Sequence, residues 1–185
     1  MLFILAENLL LRNHDLIFSV KNNVFPNKIS VIMLDDLDIT VLKKLQENGR
    51  MKRNELAEIV GLSVPSLSER LNKLEDRGVI QGYYAKLNRQ IFHYDIMAFV
   101  LVVMESSKSY EKFAEQVRKT GEILECHSIL GEGSHILKVV VKETKDLEAL
   151  LSKIQSWHGV TKTVTSYVLS TIKETTSLNI QFKKE

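Results

Sequence analysis

The sequence predicts an α+β protein: an N-terminal winged helix-turn-helix domain followed by a ferredoxin-like βαββαβ domain. Three observations carry this reading. First, Asn54 to Tyr83 holds two short apolar-periodic segments separated by Gly61-Leu62, as two helices joined by a tight glycine-containing turn require. Second, residues 41–54 hold Lys43, Lys44, Arg50, Lys52 and Arg53 against Glu47 alone, a local net charge of +4 beside that turn. Third, the later half runs strand, helix, strand, strand, helix, strand, the ferredoxin-like order.

Composition sets the outer bounds. At 185 residues, with 44% hydrophobic and 26% charged positions, the chain has an ordinary globular makeup and room for two small domains. The net charge is only +2, so attraction to nucleic acid has to come from local patches. Cys126 is the single cysteine, which rules out an intrachain disulfide and reads as a buried, inert thiol. No stretch reaches the ~18 uninterrupted apolar residues of a membrane span. A cytoplasmic protein without a membrane partner is expected.

Residues 1–33 are read as an atypical N-terminal extension. The run is apolar, but Glu7, Arg12 and Asp15 interrupt it, and it lacks both a basic leader and a small-residue cleavage site. Met33 reads as the natural start, with the upstream stretch an over-extended translation or a loose appendage. An extra helix packing on a partner subunit is the alternative.

The helix-turn-helix domain is expected over 34–88. Asp35, Asp36 and Asp38 suit the positive end of a first helix, whose apolar face is Leu37, Val41, Leu42 and Leu45 and which ends at Asn48-Gly49. A second helix carries Leu56, Ile59 and Val60. Lys52 breaks the capping-box pattern with Glu55, which leaves Asn54 as the candidate cap. Ser63 is a good N-cap for the third helix, and Pro65 fits its first turn. With Leu67, Leu71 and Leu74 turned inward, Pro65, Ser68, Glu69, Asn72 and Lys73 face outward, flanked by Ser66 and Arg70. Such side chains can meet base edges and phosphates in a major groove. The candidate DNA-binding set is therefore Arg50, Lys52, Arg53, Ser63, Ser66, Ser68, Glu69, Arg70, Asn72 and Lys73. Gly78 closes the helix, Val79 to Asn88 reads as a short strand or extended wing, and 89–95 as a linker.

The order and spacing of these motifs resemble one family. The run L-D-x-x-D-x-x-V-L-x-x-L-Q-x-x-G-R, then E-L-A-x-x-V-G-L-S, then E-R-L-x-x-L-E-x-x-G-V-I-x-G-Y-x-A-x-L-N resembles the Lrp/AsnC (leucine-responsive, asparagine-type) transcription regulators. The likeness covers about 150 residues and leaves out the leader. It implies double-stranded DNA as a partner, a small amino acid or related metabolite as effector, and homodimers assembling to tetramers or octamers.

The second domain is expected over 96–185. Ile96 to Met104 is almost continuously apolar, a buried strand. Tyr110, Phe113, Ala114 and Val117 mark a helix ending at Gly121. Ile123 to Leu130 and Ile136 to Val141 are hairpin strands around Gly131-Glu132-Gly133-Ser134. Leu147, Leu150, Leu151 and Ile154 mark a second helix, and Val160 to Leu169 is a Thr/Val-rich last strand. An open sheet with one face uncovered by helices predicts self-association.

The hairpin turn is the candidate effector site. Two glycines let backbone N–H groups approach a carboxylate, and Glu132 or Ser134 suits an ammonium group. On composition alone the same residues make an ordinary tight hairpin. The resemblance places the effector at this loop, between dimers, and implies Gly131, Glu132, Gly133, Ser134 and His135, with Thr163 and Thr165 on the last strand. Against the family pattern Gly-Asp-x-Asp-Tyr, Ser134 replaces an acid and His135 the aromatic residue.

Enzyme, cofactor and metal signatures are missing. The five histidines show no ligand spacing, neither a G-x-x-x-x-G-K nor a G-x-G-x-x-G run occurs, and adjacent Cys126 and His127 on a strand point to opposite faces. No cofactor is expected. The predicted function is a sequence-specific DNA-binding regulator tuned by a small amino acid or metabolite. The alternatives are a ligand-independent architectural DNA-binding protein and a metabolite-binding or protein-interaction module.

Overall fold

The computed structural model describes residues 33–181, so the extension assigned to 1–33 lies, but for Met33, outside the described residues. The described chain forms two compact units: residues 33–86 with 173–181, and residues 87–172.

The first unit is built on three helices, α1 (Asp36–Glu47), α2 (Arg53–Val60) and α3 (Val64–Asp76). Alone, helices of this length are marginal in water, so packing has to hold them. Val41, Leu56, Ala57, Val60, Leu67, Leu71 and Leu74 supply the packing as one buried cluster. The starts of α1 and α3 are punctuated by side-chain chemistry. The backbone N–H of Asp38 donates to Asp35 Oδ1 (2.8 Å) and that of Asp35 to Asp38 Oδ2 (3.1 Å), a reciprocal box at the start of α1. Ser63 Oγ accepts from the Ser66 N–H at 3.2 Å at the start of α3. Between α2 and α3 the turn needs a left-handed residue, and Gly61 supplies it with φ of 67°.

Several details differ from the sequence reading. The N-cap of α2 is Lys52, without a side-chain cap bond, and Asn54 lies inside the helix. Val79 and Ile80 fold back so that both N–H groups donate to the Leu74 carbonyl, and they pack on the helical core. Residues 81–88 then run without strand pairing, so the expected wing forms no ladder. The assigned linker holds a 3₁₀ turn at Arg89–Phe92.

The tail closes the first unit. Gln46 brackets the backbone of Leu178, its Nε2 donating to the carbonyl (3.1 Å) and its Oε1 accepting from the N–H (2.6 Å). Lys86 pairs with Glu174 at 3.0 Å. Residues 173–181 thus group with the helices, whereas the sequence reading ran the second domain to 185.

The second unit has β1 (Ile96–Met104), α4 (Tyr110–Arg118), β2 (Ile123–Ser128), β3 (His135–Val141), α5 (Thr144–Gln155) and β4 (Val160–Tyr167). The antiparallel sheet has the order β2-β3-β1-β4, the ferredoxin-like arrangement. Strand alternation decides its two faces. Ala98, Val100 and Val102 are wholly buried in the core that holds Phe113, Ile154 and Trp157 of the helical layer. Register places Leu101 beside Ile136 and Val164 on the other face, where Phe99 and Val164 are 38% and 43% exposed. Cys126 is half-buried against the core, and burial pushes its thiol pKa up, which keeps it unreactive.

Candidate nucleic-acid interface and effector loop

α3 carries the outward face that its leucine spacing requires. Pro65, Ser66, Glu69, Asn72 and Lys73 are exposed, while Leu67, Leu71 and Leu74 are buried. The basic residues Lys43, Arg50 and Lys52 are exposed on α1 and in the connector, as cations that meet phosphates need to be.

Several of the predicted residues are occupied within the fold. Ser63 serves as the cap, and its Oγ lies 2.8 Å from Ser66 Oγ. Arg53 reaches across from α2, its Nη1 donating to Ser68 Oγ at 3.0 Å. Glu69 and Lys73 form an exposed pair at 2.7 Å, and Lys73 holds the Glu69 carboxyl below its usual range. Arg70 reaches the start of α1, its Nη1 2.5 Å from Asp38 Oδ1 and 2.7 Å from Asp35 Oδ2. The hydrogen bonds to Asp38 and Asp35 raise the guanidinium pKa further. Burial works to raise the Asp35 pKa, but the Asp38 N–H and Arg70 outweigh it and hold the carboxyl down.

Sequence reasoning saw Asp35 and Asp38 only as helix-end charges. Their partner lies 35 and 32 positions away, a separation that helix periodicity does not address. It also missed Tyr83, whose hydroxyl donates to Glu75 at 3.0 Å. Burial and that carboxylate push the phenol pKa up to about 12.

The loop between β2 and β3 is closed by the Ile129 N–H donating to the Ser134 carbonyl at 3.0 Å. Ser134 also turns inward, its N–H and Oγ both donating to the Val102 carbonyl (2.9 and 3.1 Å). Gly131 has φ of 137°, which other residues rarely adopt, and a Cβ on Gly133 would lie 2.6 Å from Leu101 Cδ1. Glu132 is exposed. His135 is buried between the Tyr110 and Phe113 rings, each centroid 4.7 Å away. Its Nδ1 meets Ser134 Oγ at 3.0 Å and its Nε2 meets Ser128 Oγ at 3.1 Å, while burial pushes its pKa down.

Within one subunit the structure gathers Gly131 to His135 but keeps Thr163 and Thr165 apart from them. Both threonines lie on β4, with β1 intervening, and Thr163 Oγ1 accepts from Gln155 Nε2 at 2.8 Å. Among the described residues no group of His, Cys, Asp and Glu is gathered that could hold a metal ion. No described helix is long and apolar enough to cross a membrane.

Known families match both parts of the chain, the second match running past residue 172 into the tail. Residues 34–81 fit a winged helix-turn-helix DNA-binding family, and residues 97–178 fit the Lrp/AsnC ligand-binding domain. The chain is 34% identical over 150 residues to the HTH-type transcriptional regulator FL11 of Pyrococcus abyssi, covering 81% of this chain and 99% of that one. A solved transcriptional regulator of Neisseria meningitidis, in complex with L-methionine, is 37% identical with a TM-score of 0.74, over 79% of this chain and 96% of that one. The feast or famine regulatory protein of M. tuberculosis, also complexed with L-methionine, is 32% identical with a TM-score of 0.74, over 79% and 99%.

Proposed function

This chain belongs to the Lrp/AsnC family of DNA-binding transcription regulators, and from that premise we propose that a small amino acid, with methionine the first to try, tunes its hold on specific duplex sites. The observation that carries the reading is the α2–turn–α3 unit, with exposed Ser66, Glu69, Asn72 and Lys73 on one helix face. In this reading those side chains meet base edges and phosphates, while Arg50 and Lys52 anchor the backbone. Arg53 contributes its charge from the start of α2, where it is bonded to Ser68 of α3.

The apolar sheet face around Phe99, Leu101 and Val164 supports a homodimer, since such a face needs cover. A dimer sets two α3 helices on successive major grooves, about 34–36 Å apart or a multiple of that. Larger assembly to tetramers or octamers adds further heads, which suits a chain of net charge only +2. The effector belongs at Gly131 to His135, completed across a subunit boundary. Thr163 and Thr165 join it only if a neighbouring subunit brings them there.

One observation favours a ligand-independent architectural member instead. Ser134 and His135 spend their polar atoms inside the loop, which leaves Glu132 and the glycine backbone to meet an effector.

The test is selection of duplexes from random DNA by the full chain, then titration of the selected duplex across salt with and without L-methionine. The expected result is saturable binding whose logarithm falls linearly with log salt, about 0.9 per phosphate neutralised, and shifts with the amino acid. Absence of duplex binding at low salt overturns the DNA-binding reading. Binding that ignores every amino acid in a panel selects the architectural one.

A further inference from the structure

Resting on the reading of α3 as the groove-entering helix, we propose that Arg70 is a positioning residue for DNA recognition, which fixes α3 to the capped start of α1 and makes no contact with DNA itself. By sequence position Arg70 looks like a DNA-contacting arginine, since it flanks the outward face of α3. The geometry gives it a different occupation. It precedes Leu71 and follows Leu67 by three positions, which puts it on the edge of the buried stripe.

From that edge Nη1 reaches both Asp35 and Asp38, at 2.7 and 2.5 Å. The same two carboxylates accept from each other's backbone N–H groups, so cap and clamp form one closed network. Asp38 is 8% exposed, so its contact with Arg70 is the sheltered half of the clamp, while the Asp35 side chain is half-exposed. A phosphate approaching Arg70 Nη1 has to displace two carboxylates that also hold the first turn of α1.

The network has a mechanical consequence. α3 touches the rest of its unit through its leucines, which resist separation but tolerate sliding. The Arg70 clamp to α1 and the Arg53–Ser68 bond to α2 supply the direction that apolar packing lacks. Direct readout requires side chains held within fractions of an ångström, so an unclamped α3 loses discrimination before it loses general attraction.

The experiment compares Arg70→Gln and the double variant Asp35→Asn/Asp38→Asn with the unaltered full chain. Each is titrated on a duplex selected by the unaltered chain and on an unrelated duplex, across a salt series, with helix content followed by circular dichroism. Both variants are expected to bind the selected duplex about tenfold more weakly. Binding of Arg70→Gln to the unrelated duplex and its salt slope are expected to match the unaltered chain, and the double variant is expected to bind the unrelated duplex at least as tightly.

The double variant makes the sign decisive. Removing two negative charges by itself strengthens attraction to DNA, and Asn at position 35 still caps a helix. A double variant that binds as tightly as the unaltered chain or tighter overturns the proposal. So does an Arg70→Gln salt slope shallower by about 0.9 with equal loss on both duplexes, the signature of a lost phosphate contact. If Arg70→Gln loses its helix content, the double variant alone decides. An unaltered chain that selects no duplex refutes the DNA-binding reading, and the positioning role goes with it.

Discussion

His135, which the family resemblance sets in place of an aromatic residue, is packed by the fold as one. Its ring sits between Tyr110 and Phe113, and its two nitrogens meet the hydroxyls of Ser134 and Ser128. A hydroxyl donates or accepts as needed, so the neutral ring is satisfied at both nitrogens. Burial holds its pKa below 6.5, whereas the unfolded chain takes up the proton near that value. The unfolded state therefore binds more protons below about pH 6.5, and stability falls as pH drops through that window and is intact above it. Urea unfolding of the chain and of His135→Phe from about pH 7.5 to about pH 5 checks this. The variant is expected to lose a dependence bounded at about 1.4 kcal/mol per pH unit, and equal slopes in the two proteins refute it. The family resemblance implied that His135 takes the place of an aromatic residue. It did not show that Ser128, seven positions away, would complete the ring's hydrogen bonding.

α2 begins without a side-chain cap, because Lys52 occupies the position where Ser, Thr, Asp or Asn satisfies the first N–H groups. Lys52→Ser is therefore expected to stabilise the helical unit by about 1 kcal/mol in thermal unfolding. If Lys52 also neutralises a phosphate, the same substitution makes the salt slope of DNA binding shallower by about 0.9. A stability gain with an unchanged slope removes Lys52 from the interface. Most element-scale features were legible because each carries its own punctuation: Asp35 before α1, Ser63 and Pro65 at α3, and continuous apolar residues through β1. The wing was not. Val79 alternates like a strand residue, yet the Leu74 carbonyl captures its N–H and the helical core takes its side chain. Tertiary packing overrides β-propensity there.

At the scale of the molecule, the unit that bears α3 is drawn from two distant parts of the chain, residues 33–86 and 173–181. Sequence periodicity has no access to that arrangement, since one Gln side chain reads a backbone 132 positions away. Truncation after Ile172 removes the two Gln46 bonds and the Lys86–Glu174 pair. The expected loss is about 1–3 kcal/mol of protection in α1, read by amide hydrogen exchange, and unchanged exchange there refutes the strap. Domains commonly fold in order of synthesis, the earliest to emerge first. Here α1 to α3 emerge early, but the strand of tail that brackets α1 leaves the ribosome only after residues 87–172 have all been made. A chain stopped anywhere short of residue 173 offers α1 to α3 without the Gln46–Leu178 bracket or the Lys86–Glu174 pair.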